Sequence, residues 1–197
     1  MPELVIRSAL HERAAAQGAA QSSIALQEIV DRGMIDLRGM ASDARFLTAV
    51  NEALGFELPL SPRSAAGAGD MAALWMSVDQ WLVTLPRADA PQFQARLSGA
   101  LHGVHALVVD MSDARAILRL EGETVREVLN KGTSVDFTAR DMRGGVVRRL
   151  RYAEIAAMAH VVSTTPDVID LYVFRSTAEH VWAHLLATAR PAARVKL

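Results

Sequence analysis

A few short stretches carry residues whose types and spacing could do chemistry. Asn130-Lys131-Gly132-Thr133-Ser134 places a lysine and a glycine ahead of two hydroxyls. A Walker phosphate loop needs G-x-x-x-x-G-K-[ST], because consecutive amides cradle the phosphates and the lysine follows the last glycine. Here Lys131 precedes Gly132, and the nearest upstream glycine is Gly122. Order and spacing both fail. The same residues fit a helix end, with Lys131 favoured by the dipole and Gly132 in the left-handed C′ position. His180 and His184 lie one helical turn apart and could share a zinc ion. Such a site needs a third ligand, and Glu179 precedes the pair instead of following its first histidine as in H-E-x-x-H. The expected reading is two surface histidines flanking a buried Trp182. His102 and His105 fall at a helix end and a strand start, where a histidine suits the dipole.

The stretch 139–151 holds Arg140, Arg143, Arg148, Arg149 and Arg151. Nucleic-acid sites of this kind usually come with aromatics and a basic domain. Only Tyr152 is close, and the whole chain has a net charge of −1. A solvated hairpin with its tip at Arg143-Gly144-Gly145 and a protein-partner surface both remain, since arginine is enriched at interfaces. The candidate partner surface comprises Arg143, Arg148, Arg149, Arg151 and Lys131. Asp110, Asp113, Asp136 and Asp141 are scattered acids with no evident paired carboxylate. Val108-Val109-Asp110-Met111-Ser112-Asp113 reads as a strand running into a turn. Trp75 and Trp81, across Val78-Asp79, serve the core or an interface. The chain contains no G-x-S-x-G, H-E-x-x-H or G-x-G-x-x-G. No catalytic, cofactor-binding or metal-binding residue is assigned.

Composition narrows the classes further. The 197 residues are 51% hydrophobic and 22% charged, as in an ordinary globular chain. Near-zero net charge provides no long-range field for nucleic acid or an anionic membrane. The absence of cysteine excludes disulfides and thiolate chemistry and is compatible with a reducing cytoplasm. The N-terminus does not read as a signal peptide, and the apolar run Ile155–Val162 is too short to span a bilayer. A soluble, cytoplasmic protein is expected.

Certain elements must position these residues. Residues 1–23, rich in Ala, Gln and Ser, read as a flexible arm. Residues 24–197 read as one globular domain made of two halves, about 34–111 and 112–190. The first half runs strand (34–39), helix (43–54, ended by Gly55), Pro/Gly/Ser loop (59–70), hairpin (73–77 and 80–85), helix after Asp89, and strand (104–111). The second runs strand (115–122), helix (123–130), strand (around 154–162), strand (168–174) and a last helix burying Ala178, Trp182, Leu185, Leu186 and Ala189. Asp89 with Gln92 and Ser176 with Glu179 have capping-box spacing. Residues 24–30 form an earlier strand. The fold class is therefore α+β: two duplicated split β-α-β modules, each with helices on one side of an antiparallel sheet.

Several segments together resemble the gamma subunit of heterotetrameric sarcosine oxidase. They are SALHER, MIDLRGMASDARF, LGFELPLSP, LWMSVDQWLV, VVDMSDAR, LEGETVREVLNKGTSVDF and VFRSTAEHVWAHLL. The resemblance runs from about Ser8 over nearly the whole chain, and it is the order of the pieces that makes it specific. It implies a complex that oxidatively demethylates sarcosine to glycine and passes the one-carbon unit to tetrahydrofolate. FAD, FMN, NAD and tetrahydrofolate would sit in the alpha and beta subunits, and zinc in delta. Gamma would be an accessory subunit without an active site, folded like the folate-binding domain of aminomethyltransferases. Arg63 departs from that pattern, standing where asparagine is common. A stand-alone folate-binding or one-carbon-transfer protein is the alternative.

Overall fold

The computed structural model describes residues 7–14 and 24–190. The elements are α1 (His11–Ala14), β1 (Ala25–Ile29), β2 (Arg32–Gly39), α2 (Ala44–Leu54), β3 (Ala65–Ala68), β4 (Met71–Ser77) and β5 (Gln80–Pro86). They continue with α3 (Ala90–Ala100), β6 (Ala106–Asp110), β7 (Arg115–Glu121), α4 (Val125–Asn130), β8 (Val147–Tyr152), β9 (Ile155–Thr164), β10 (Asp167–Phe174) and α5 (Ala178–Thr188).

One five-stranded sheet has the order β3-β4-β5-β2-β6 and the other β1-β7-β10-β9-β8. Read from opposite ends the orders coincide: β6 corresponds to β1, β2 to β7, β5 to β10, β4 to β9 and β3 to β8. The registered pairs are antiparallel, for example Leu37 opposite Trp81 and Leu118 opposite Leu171. Strands β2 and β4 flank β5 and are joined through α2, which makes a split β-α-β unit. Strands β7 and β9 flank β10 through α4 in the same way. The duplicated α+β architecture expected from the sequence is present. One strand is exchanged: β1, from the start of the chain, fills beside β7 the slot that β6 fills beside β2.

The residues gather into two compact units. One comprises Asp31–Ala114 with Gly144–Arg149. The other comprises Arg115–Arg143, the described residues from Leu150 onward and those up to Val30. In the first unit α2 buries Phe46, Val50 and Leu54, spaced at helical period, against Leu37, Trp81 and Val83. Asp43 caps α2 by accepting the Arg45 amide at 2.9 Å. Gly55, at φ 76°, ends it and donates to the Asn51 carbonyl. In the second unit α4 and α5 bury Val128, Leu129, Trp182 and Leu185.

Several expectations are corrected. The arm expected over 1–23 lies mostly outside the described residues, but Leu10 is buried, and the Ala9 and Leu10 amides donate to the Glu28 carboxylate. The loop expected over 59–70 contains β3. Neither capping box forms: α3 and α5 have no side-chain cap. Each is entered instead through a 3₁₀ turn, Arg87–Asp89 and Arg175–Thr177, whose first carbonyl takes the helix's leading amide. Leu186 is exposed, and Val181 takes the buried place. The hairpin tip is not Arg143-Gly144-Gly145 but Ala153-Glu154, both at positive φ, as a two-residue turn requires.

Candidate functional site

The helix-end expectation for Lys131-Gly132 holds in part. Lys131 caps α4 with ordinary right-handed geometry, and Gly132 is not among the positive-φ glycines. Its lack of a side chain has another cause. A Cβ there would lie 2.5 Å from Cε2 and Cζ of the Tyr152 ring and 3.0 Å from His184 Nε2. Glycine is needed for close approach. Lys131 Nζ donates to the Thr188 carbonyl at 2.8 Å, so its charge serves the C-terminus of α5.

His184 is half-buried rather than fully at the surface. It stacks edge-on against the buried Tyr152, with ring centroids 5.4 Å apart, and its Nε2 is buried without a hydrogen bond. Burial, and secondarily the neighbouring His180, holds its pKa below the ordinary imidazole value. Burial likewise pushes the Tyr152 phenol above its usual range, against a smaller opposing effect from Thr188. The Thr188 hydroxyl itself donates to the His184 and Leu185 carbonyls. His180 is exposed, and its Nε2 lies 3.1 Å from the Ala153 carbonyl. Among the described residues no group of histidines and acids is arranged to hold a metal ion. His102 and His105 are both exposed, between α3 and β6.

The arginines separate into engaged and unengaged groups. Arg151 donates to the Glu154 carboxylate at 2.8 Å and to its carbonyl at 2.9 Å. Arg148 is half-buried and has a partner within the chain. Arg143 and Arg149 are exposed and bond to no described residue. Ser64 and Val146 form an antiparallel bridge, and the Val147 amide donates to the Arg63 carbonyl at 2.8 Å. That pairing places Arg63 beside the arginine-rich segment, although the two are far apart in sequence. Arg63 is at φ 64°, a left-handed conformation that costs a residue with a Cβ about 1 kcal/mol. Asparagine occupies that region far more readily than arginine.

Sequence reasoning missed Arg126. It binds the Asp167 carboxylate through two nitrogens at 2.8 Å and donates to the Phe137 and Met142 carbonyls at 2.5 and 2.9 Å. One guanidinium thus fixes both the β9–β10 turn and the segment after α4. Similarly, Arg119 forks onto the buried Asp170 at 2.7 and 2.8 Å. His160 lies opposite Asp170 in register; burial lowers its pKa, Asp170 opposes that shift and Arg119 adds to it. The scattered acids are engaged within the chain. Asp110 accepts from the Ser112 amide and hydroxyl, Asp113 pairs with Arg87, and Asp136 accepts from the Thr138 amide and hydroxyl. Trp81 is a core residue whose indole donates to the Pro59 carbonyl at 2.7 Å. None of the described helices is long and apolar enough to cross a membrane.

Comparison with known proteins fits this architecture. The chain is 30% identical over 128 residues to the sarcosine oxidase subunit gamma of Corynebacterium sp. (strain U-96). That match covers 64% of this chain and 61% of the relative's own length. The fold matches a chain of the heterotetrameric sarcosine oxidase from Corynebacterium sp. U-96 in complex with pyrrole 2-carboxylate. The TM-score is 0.87 at 23% identity, over 98% of each chain. It also matches glycine cleavage system aminomethyltransferase T from Bartonella henselae, with a TM-score of 0.66 at 15% identity, over 90% of this chain and 56% of that one. These two likenesses establish the aminomethyltransferase-like fold. Residues 38–190 match the family described as "Sarcosine oxidase, gamma subunit family", and the chain belongs to that family.

Proposed function

We propose that the chain is the gamma subunit of a heterotetrameric sarcosine oxidase and acts as an accessory subunit without an active site of its own. The family match over residues 38–190 carries this reading. The engagement of its candidate groups supports it: Lys131 is bonded to a main-chain carbonyl, and Asp110 and Asp136 are spent on turns. The complex would demethylate sarcosine oxidatively and pass the one-carbon unit to tetrahydrofolate. FAD, FMN, NAD and tetrahydrofolate are assigned to the other subunits, and alpha, beta and delta are the partners. A cytoplasmic location accords with a cysteine-free chain. The exposed, unengaged Arg143 and Arg149 are retained as partner contacts, whereas Lys131, Arg148 and Arg151 are already occupied within the chain.

Affinity purification of the tagged full chain from its host tests this. Flavin-coloured partner chains are expected in the eluate; a colourless chain eluting alone would contradict the reading. The aminomethyltransferase-like fold keeps one rival, a stand-alone folate-binding protein. Calorimetry of the isolated chain with tetrahydrofolate separates the two, since the accessory reading expects no binding heat.

A further inference from the structure

Two arginines that bond to no described residue are held on neighbouring segments at the β3 edge. Arg63 is one, fixed at φ 64°. Its seat is rigid. Val147 donates to its carbonyl, Trp75 donates to the next carbonyl at 3.0 Å, and the Ser64 hydroxyl donates to the Ser61 carbonyl at 2.6 Å. Arg149 is the other, two residues beyond Val147 and in the same compact unit. Both are exposed, and neither makes a hydrogen bond or ion pair with a described residue. Leu60, half exposed, lies on the same loop.

A solvated cation does not need a strained, hydrogen-bonded seat. Asparagine or glycine would relieve the backbone at this position. We propose that Arg63 and Arg149 form a docking site for an acidic segment of a partner protein chain, with Leu60 as an apolar contact beside them. This rests on the subunit reading above. A second copy fits poorly, because a twofold contact of this patch with itself would put these arginines on both sides of one interface. Nucleic acid fits poorly as well, because the chain as a whole is net negative.

The test uses the tagged full chain, with capture of flavin-bearing partner chains from host lysate as salt is raised. The Arg63→Glu/Arg149→Glu chain is expected to capture partners roughly tenfold more weakly and to release them at lower salt. Arg63→Asn separates binding from folding: it is expected to melt at the same or a higher temperature yet capture less. If both variants capture like the wild type, the docking site is overturned while the subunit reading stands. If the wild type captures nothing, both fall. Capture abolished by nuclease, or a wild-type dimer that the double variant makes monomeric, would assign the surface to nucleic acid or to a second copy and overturn the proposal.

Discussion

The first helix of each half occupies the same place in the same strand order, but the two are secured by different means. Helix α2 has eleven residues, a carboxylate cap at Asp43 and a left-handed stop at Gly55. Helix α4 has six, and no side chain caps its start. The connections out of the two helices differ as well. After α2 the chain reaches β3 within ten residues, Gly55 to Ser64, whereas after α4 it wanders from Lys131 to Val146 before β8. The long segment is anchored by the Arg126 guanidinium, which bonds Asp167, Phe137 and Met142. In one half, local signals along the chain define the helix. In the other, one half-buried cation ties the segment after the helix to the fold. Duplicated modules can keep their topology while the means of holding it diverge.

Substitutions that probe this contrast should differ in size. Arg126→Ala strands a mostly buried Asp167 carboxylate and frees two carbonyls. It should lower unfolding free energy by about 3 kcal/mol in urea titration; a loss no larger than that of an exposed arginine would refute the anchoring role. The glycines come next. Gly132→Ala pushes a methyl into the buried Tyr152 ring and should cost about 2 kcal/mol. Gly55→Ala meets nothing within 4 Å and should cost only its left-handed backbone, about 1 kcal/mol. Equal losses would mean that close approach does not explain Gly132.

The smallest effect is on pH dependence. His184 and His160 are held below the ordinary value of 6.5, chiefly by burial. As pH falls past that value the unfolded chain takes up their protons before the folded one does, so stability should decline, whereas above it stability should be flat. Asp43 and Asp136 are held below 3.8 by hydrogen bonds, first from the Arg45 side chain and the Thr138 hydroxyl respectively, and they add a further loss only in stronger acid. Urea midpoints measured against pH should show the first decline in the wild type and a shallower one in His184→Gln. An unchanged slope would remove His184 as its source.

The same contrast explains which elements are legible in the sequence alone. Helix α2 is legible because Phe46, Val50 and Leu54 keep helical period between two local punctuation residues. Most strands and the duplication are legible from alternation and from the repeated strand–helix–hairpin–helix order. The placement of β1 beside β7 is not, because that pairing joins residues as far apart as Ala25 and Glu121. The hairpin tip is misplaced from sequence because Gly144-Gly145 carries the stronger turn signal. The Ala153-Glu154 turn is held by one distant contact, the Ala153 amide donating to the Gly132 carbonyl, and by one local contact, Arg151 to Glu154. Arg63 comes beside Val146-Val147 through the Ser64–Val146 bridge and its flanking hydrogen bonds, and no local pattern announces that pairing. Of the five candidate partner residues, Lys131 is bonded to the distant Thr188, Arg151 to Glu154 across the local hairpin turn, and Arg148 has a partner within the chain.

Native mass spectrometry of the tagged chain, purified from its host at low salt, addresses subunit membership most directly. We expect a single assembly containing this chain with three different partner chains and bound flavin. A spectrum showing only the 21.3 kDa chain, or copies of it alone, would contradict membership of a sarcosine oxidase complex.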